Sequence, residues 1–167
     1  MSAPSVISDN APIRSSLKKD VPQILGVGPF KSGSSAFIPL FLALKLSEIG
    51  AAEIDEASLL TPQEVSQKKF AEEKEQRLVE LPADFYARAR ATIWRLKKEG
   101  DSKEMARLIS ELRDLVIRRV EKMARLLAAS PDLAENEEFL SRLTPEERAL
   151  ALSLYIELSS FIQSVLA

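Results

Sequence analysis

The 167-residue chain is predicted to be mainly α-helical, a helical bundle preceded by a small β-rich N-terminal module. Three observations carry that prediction. From Leu81 onward, apolar residues recur at helical spacing over long segments. Between Val21 and Asp55, Gly and Pro punctuate short apolar runs. Two Thr-Pro-x-Glu sequences, at Thr61–Glu64 and Thr144–Glu147, have the form of capping boxes.

Taken in order, residues 1–20 are rich in Ser, Ala, Pro and Lys. Val6-Ile7 and Ile13 are their short apolar pieces, either an edge strand or part of a frayed terminus. Met1 to Asn10 lacks the basic and apolar regions of a secretory signal. Val21 to Val27 reads as a strand, and Gly26, Gly28, Pro29 and Gly33 as a turn. Ser35 to Ile38 reads as a second strand. Pro39 suits the first turn of a helix, where its missing N–H costs nothing. Leu40, Phe41, Leu42, Leu44 and Leu46 continue that helix, Gly50 stops it, and Ala51 to Asp55 returns as a short strand.

The helix from Thr61 to about Leu78 scatters Val65, Phe70 and Leu78 around its circumference among many charges. It is expected to be an exposed connector without a broad core face. The next helix starts at Leu81-Pro82 and ends at Gly100. Phe85, Ala89, Thr92, Ile93 and Leu96 share one side of it. Trp94 points the other way, either half-covered by the connector or anchoring an interface.

The longest helix, around Lys103 to Leu127, has the clearest pattern. Leu108, Ile109, Leu112, Leu115, Val116, Val120, Met123, Leu126 and Leu127 form one apolar arc, too broad for a two-helix seam. Arg119 sits inside the arc and Arg113 on its flank. Each either snorkels to water or an in-chain carboxylate, or pairs with a carboxylate across a subunit boundary. A polar link over 131–143 follows, anchored by Leu133, Phe139, Leu140 and Leu143. In the last helix Leu150, Leu154, Leu158, Phe161 and Val165 form a stripe that Tyr155, Ile162 and Leu166 widen. From Ala149 onward its only charged side chain is Glu157. Such a helix is central to its own bundle or covered by another chain. The expected division is a β-rich domain at 1–57, a connector helix at 58–80 and an oligomerising bundle at 81–167.

Composition excludes several kinds of chemistry. The chain has no Cys and no His, so the usual zinc sites, thiol nucleophiles, His-based proton transfer and disulfides are ruled out. Gly26 to Gly33 superficially has the form of a phosphate loop. The Walker pattern needs Gly directly before its Lys, whereas Phe30 precedes Lys31 and Pro29 removes a donor. The carboxylates at Glu72, Glu73 and Glu75 belong to a mixed charge run, which reads as a solvated face. No catalytic, cofactor-binding or metal-binding residue is expected, and the chain is not expected to be an enzyme. A net charge of −2 disfavours a dedicated nucleic-acid binder. The alternative reading is a DNA-binding module using the basic residues between Arg88 and Lys98. No uninterrupted apolar run approaches the roughly 20 residues of a membrane span, so no membrane contact is expected.

Several segments together resemble a known family. Gly28-Pro-Phe-Lys-Ser-Gly33 is followed by Phe37-Ile-Pro-Leu-Phe-Leu-Ala-Leu-Lys-Leu46. Then come Leu81-Pro82-Ala-Asp-Phe85-Tyr86, the Leu112 to Lys122 run with its Arg/Lys pattern, and Leu143-Thr-Pro-Glu-Glu147. In this order and spacing they resemble subunits of the GINS replication complex, of the archaeal two/three type, whose β domain precedes the helical domain. The eukaryotic counterparts are the partner-of-Sld-five subunits two and three. The resemblance implies a non-enzymatic structural subunit without cofactors. It implies a heterotetramer of two plus two chains with a paralogous GINS subunit. It also implies a scaffold role in DNA replication, linking the MCM helicase and a RecJ/Cdc-forty-five-like protein within the CMG helicase at the replication fork. Trp94, Arg113, Arg119, Tyr155 and Phe161 are the candidate subunit-interface residues, and Phe30 and Phe37 the candidate β-domain contacts. The expected location is cytoplasmic and nucleoid-associated in an archaeon, or nuclear in a eukaryote.

Overall fold

In the segment Pro12–Leu17, Ile13, Ser15 and Leu17 are buried while Pro12 and Arg14 are exposed. That period of two makes it a strand, β1. The computed structural model, which describes residues 3–166, pairs β1 antiparallel with β2 (Ser35–Pro39) on one side and β3 (Ala52–Ile54) on the other. The expected edge strand or frayed end is therefore the centre of the sheet. Val6 and Ile7 belong to a helix, α1 (Ala3–Asn10).

The expected strand over Val21 to Val27 does not form. Leu25 and Gly26 both have positive φ, 51° and 83°, as a primed two-residue turn requires. The chain thus reverses within the segment and leaves only isolated bridges, Val21 with Phe30 and Ile24 with Val27. Helix α2 (Leu40–Glu48) follows β2 directly and buries Leu40, Leu42, Ala43 and Leu46 with Ile13, Leu17 and Ile38.

Thr61 caps helix α3 (Pro62–Lys74), its Oγ1 accepting the Glu64 N–H at 3.1 Å. The Glu64 carboxylate does not reach back; it accepts both Arg88 Nη1 and Nη2 at 2.8 Å. The helix is not an exposed connector. It lies along α5 (Ser102–Ala129), with Val65 and Glu72 buried. A single apolar residue and a buried carboxylate replace the broad apolar stripe that a packed helix ordinarily shows.

Helix α4 (Phe85–Glu99) is buried on two sides. Phe85 and Ala89 pack with Leu108, Leu112 and Leu115 of α5, while Ala87 and Ala91 join the core beneath the sheet. The small alanine side chains let the β-rich module approach the helix closely. Gly100, at φ 77°, ends α4 in the left-handed conformation. Asp101 then caps α5, accepting the Glu104 N–H at 3.0 Å. A short helix, α6 (Glu137–Ser141), sets Phe139 and Leu143 against Met123 and Leu127 of α5. The last helix, α7 (Pro145–Leu166), completes this third core through Ala151.

At 22 residues α7 is long and apolar enough, by length and composition, to cross a membrane. It holds no uninterrupted apolar run of that length: Glu146, Glu147 and Arg148 stand in its first turn, and Glu157 and several serines break the rest.

Candidate interaction surface

The site is built outward from the start of α7. Thr144 and Glu147 form the reciprocal capping box: Glu147 N–H donates to Thr144 Oγ1 at 3.3 Å, and Thr144 N–H donates to Glu147 Oε2 at 3.1 Å. The cap holds the Glu147 carboxylate facing α5. There Arg119 grips it with two parallel bonds, Nε to Oε1 at 2.6 Å and Nη2 to Oε2 at 2.7 Å. The fork of the guanidinium suits such two-point contact with a carboxylate. Its remaining nitrogen, Nη1, donates to Glu72 Oε2 and to the Val79 carbonyl, each at 2.6 Å. Tyr86 from α4 completes the cluster by donating its hydroxyl to Glu147 Oε1 at 2.7 Å.

One turn further along α5, Lys122 lies 2.6 Å from Glu72 Oε1 and donates to the carbonyls of Glu72, Glu75 and Arg77. This explains why α3 stops at Lys74 rather than continuing to Leu78. The chain leaving it is tied down by carbonyls that a longer helix would have used internally.

Burial sets the electrostatics of the cluster. It is the largest influence on Arg119 and pulls the guanidinium down, but the hydrogen bonds and charge of Glu147, together with the charge of Glu72, outweigh it. Arg119 ends above its ordinary value and stays charged. Burial, reinforced by the negative Glu147, pushes the Tyr86 phenol well above its usual range. The cluster holds charges in fixed positions; it does not present a reactive group to solvent.

Of the two readings of Arg119, the structure shows the in-chain carboxylate, and its placement among the candidate subunit-interface residues is corrected. Its side chain is 0 % exposed and wholly engaged within the chain. Arg113 lies on the exposed side of α5. Trp94 is half-buried. Its neighbour is the β-rich module rather than the connector: it interacts with the Glu48 carboxylate of α2 and lines a pocket with Ser47, Gly50 and Ala52, and the Lys98 ammonium of its own helix lies 5.1 Å from its ring centroid. Tyr155 is half-buried on α7, and Phe161 is 67 % exposed. In the β-rich module Phe30 packs partly against the core, whereas Phe37 is 70 % exposed on the outer face of β2.

Sequence reasoning missed Glu72 and Glu147 as partners of Arg119, and Lys122 and Tyr86 as the further partners of those two carboxylates. Two signals pointed to them. An Arg inside an apolar arc requires a buried carboxylate, and the capping-box Glu was a carboxylate of fixed position.

The surface that stands out is the distal part of α7, where residues 160–166 are exposed all round the helix. Leu152, Ile156, Phe161, Ile162, Val165 and Leu166 are all exposed. Phe161 and Val165 extend the stripe of Leu150, Leu154 and Leu158 beyond the point where the chain's own core covers it, and large exposed apolar surface marks an interaction site. The basic stretch of α4 is largely occupied within the chain. Arg88 is held by Glu64 and the Leu59 carbonyl, and Arg90 by Asp9 and the Ser5 carbonyl. Arg95 pairs with Glu99 and Glu56, and Lys98 donates to the Ser47 carbonyl.

No curated protein matches the chain. Residues 59–166 match the GINS complex protein helical bundle domain, named Sld5. The match covers well over half of the chain and runs from α3 through α7. The chain therefore belongs to the GINS family, whose members are structural subunits of a DNA replication complex.

Proposed function

We propose that the chain is a GINS subunit of the two/three type and acts as a scaffold without chemistry of its own. It joins a paralogous GINS subunit in a heterotetramer of two plus two chains. Within the CMG assembly at the replication fork, that tetramer links the MCM helicase to a RecJ/Cdc-forty-five-like protein. The order of modules supports the type: the three-stranded sheet lies within residues 12–54, ahead of the helical domain at 59–166.

The observation that carries the assembly role is the uncovered distal part of α7. Its apolar side chains meet no core of their own chain, and burying them against another chain would stabilise the complex through the hydrophobic effect. The buried Arg119 cluster supports this reading by fixing the root of α7 against α3, α4 and α5, so that the face is presented on a rigid base.

Light scattering during size-exclusion chromatography tests the reading, with the chain co-expressed with its paralogue. One peak with the mass of two copies of each is the expected result. Separate elution of the two chains overturns it. The DNA-binding alternative predicts binding to duplex DNA that falls steeply with salt, and the in-chain pairing of Arg88, Arg90 and Arg95 weighs against it.

A further inference from the structure

The sheet has two edges, β2 and β3, and they differ in how they are guarded. β3 is three residues long and carries Glu53, with Asp55 directly after it. Short length and charge are the usual guards against pairing with another chain. β2 is longer, and over residues 32–44 the sequence holds no charged side chain.

The register fixes what β2 presents. Leu17 N–H donates to the Ser34 carbonyl at 2.8 Å, and Leu40 N–H donates to the Ala11 carbonyl at 3.0 Å. Between them Ser15 faces Ala36 and Ile13 faces Ile38. Residues 34, 36, 38 and 40 therefore turn their backbone groups toward β1, while Ser35, Phe37 and Pro39 turn theirs outward. Among the described residues, nothing bonds the outward N–H and C=O groups of Ser35 and Phe37. Two such donor–acceptor sets, about 6.6 Å apart along a strand, fit one kind of occupant, another extended strand. Pro39 has no N–H and ends the ladder.

The side chains narrow the choice of strand. Phe37 is 70 % exposed beside this edge, so an apolar side chain directly opposite would give it cover. On its other side stands Arg14, its cross-strand neighbour on β1. Arg14 approaches Asp55 with Nε at 3.1 Å, and its two terminal nitrogens donate no hydrogen bond among the described residues. They suit a carboxylate brought in beside the apolar residue. The β2 of a second copy lacks that carboxylate, since residues 32–44 contain none.

We propose that the β2 edge docks an extended segment of another protein, paired antiparallel with the backbone of Ser35 and Phe37. An apolar side chain of that segment covers the Phe37 ring, and an acidic one meets Arg14. The site uses neither α7 nor the helical bundle, so it stands apart from the assembly reading above.

The probe is a library of random twelve-residue peptides displayed on phage and selected on the full chain. Enriched sequences are expected to alternate apolar and polar residues and to carry Asp or Glu within two positions of an apolar one. When the strongest binder is titrated as a synthetic peptide, amide shifts are expected to concentrate at Ser35 to Ile38. Phe37→Ala removes the ring and keeps the outward donor, and an intermediate loss of affinity is expected. Phe37→Pro removes both and spares the hydrogen bonds to β1, and a loss of about tenfold or more is expected. Phe37→Lys puts a guard charge on the edge and is expected to act like Phe37→Pro, with an unchanged circular dichroism spectrum. Arg14→Gln is expected to abolish the preference for acidic peptides. No enrichment, shifts confined to the bundle, or full binding by Phe37→Lys overturns the proposal. A dimer of the free chain that Phe37→Lys dissolves shows that a second copy fills the edge, and overturns it as well.

Discussion

At position 119 a guanidinium occupies a place where helical periodicity asks for Leu or Val. The structure shows what it does there: it joins α3, α7 and the segment after α3 through Glu72, Glu147 and the Val79 carbonyl. Removing it leaves two buried carboxylates short of their partner, so Arg119→Ala is expected to cost about 3–5 kcal/mol. Urea denaturation measures this, and a loss under about 1 kcal/mol, typical of a surface pair, contradicts the account. Tyr86 offers a second test. Its folded-state pKa is raised, so above the ordinary tyrosine range an unfolded chain releases this proton and the folded chain keeps it. Stability should fall as pH rises past about 10. In a Tyr155→Phe background, phenolate absorbance should appear only together with unfolding. A phenol that titrates freely in the folded chain contradicts this. The sequence exposed Arg119 as an anomaly but not its resolution, because its partners lie 28 and 47 positions away.

At the scale of elements, legibility followed local signals. Both Thr N-caps, the Gly100 stop and, Ile109 apart, the long arc of α5 stood as read, since each depends on residues within a turn or two, whereas the return bond of Glu64 at the first cap did not form. Strand β1 and helix α3 were misread for one reason. Ile13, Ser15 and Leu17 alternate, but Ser15 and Pro12 hide the pattern from a hydrophobicity reading. In α3 one Val and a buried Glu do the packing. Neither element advertises its burial in apolar residues. The distal part of α7 shows the converse, with apolar residues that find no cover. Phe161→Ser, at an exposed site, is expected to change the stability of the chain alone by less than about 0.5 kcal/mol. Co-purification of other GINS subunits should nevertheless fall sharply. A destabilised chain that keeps its partners contradicts the assignment of this face to assembly.

At the scale of the whole molecule, α4 is the shared wall. Its Phe85 and Ala89 side belongs to the bundle and its Ala87 and Ala91 side to the core of the sheet. The β-rich module therefore seats directly on the bundle, with Glu48 of α2 beside Trp94. The order of the two modules was legible from Gly, Pro and the capping signals. Their packing was not, because three alanines carry no sign of what they touch. The result is a chain whose interior charges are fixed close to α7 and whose last helix projects an uncovered apolar face. Hydrogen–deuterium exchange over Ile156–Leu166, in the chain alone and in complex with its paralogous GINS subunit, tests that claim most directly. Fast exchange in the free chain and strong protection in the complex is the expected result. Equal exchange in the two states would show that no partner covers α7, and would contradict the account.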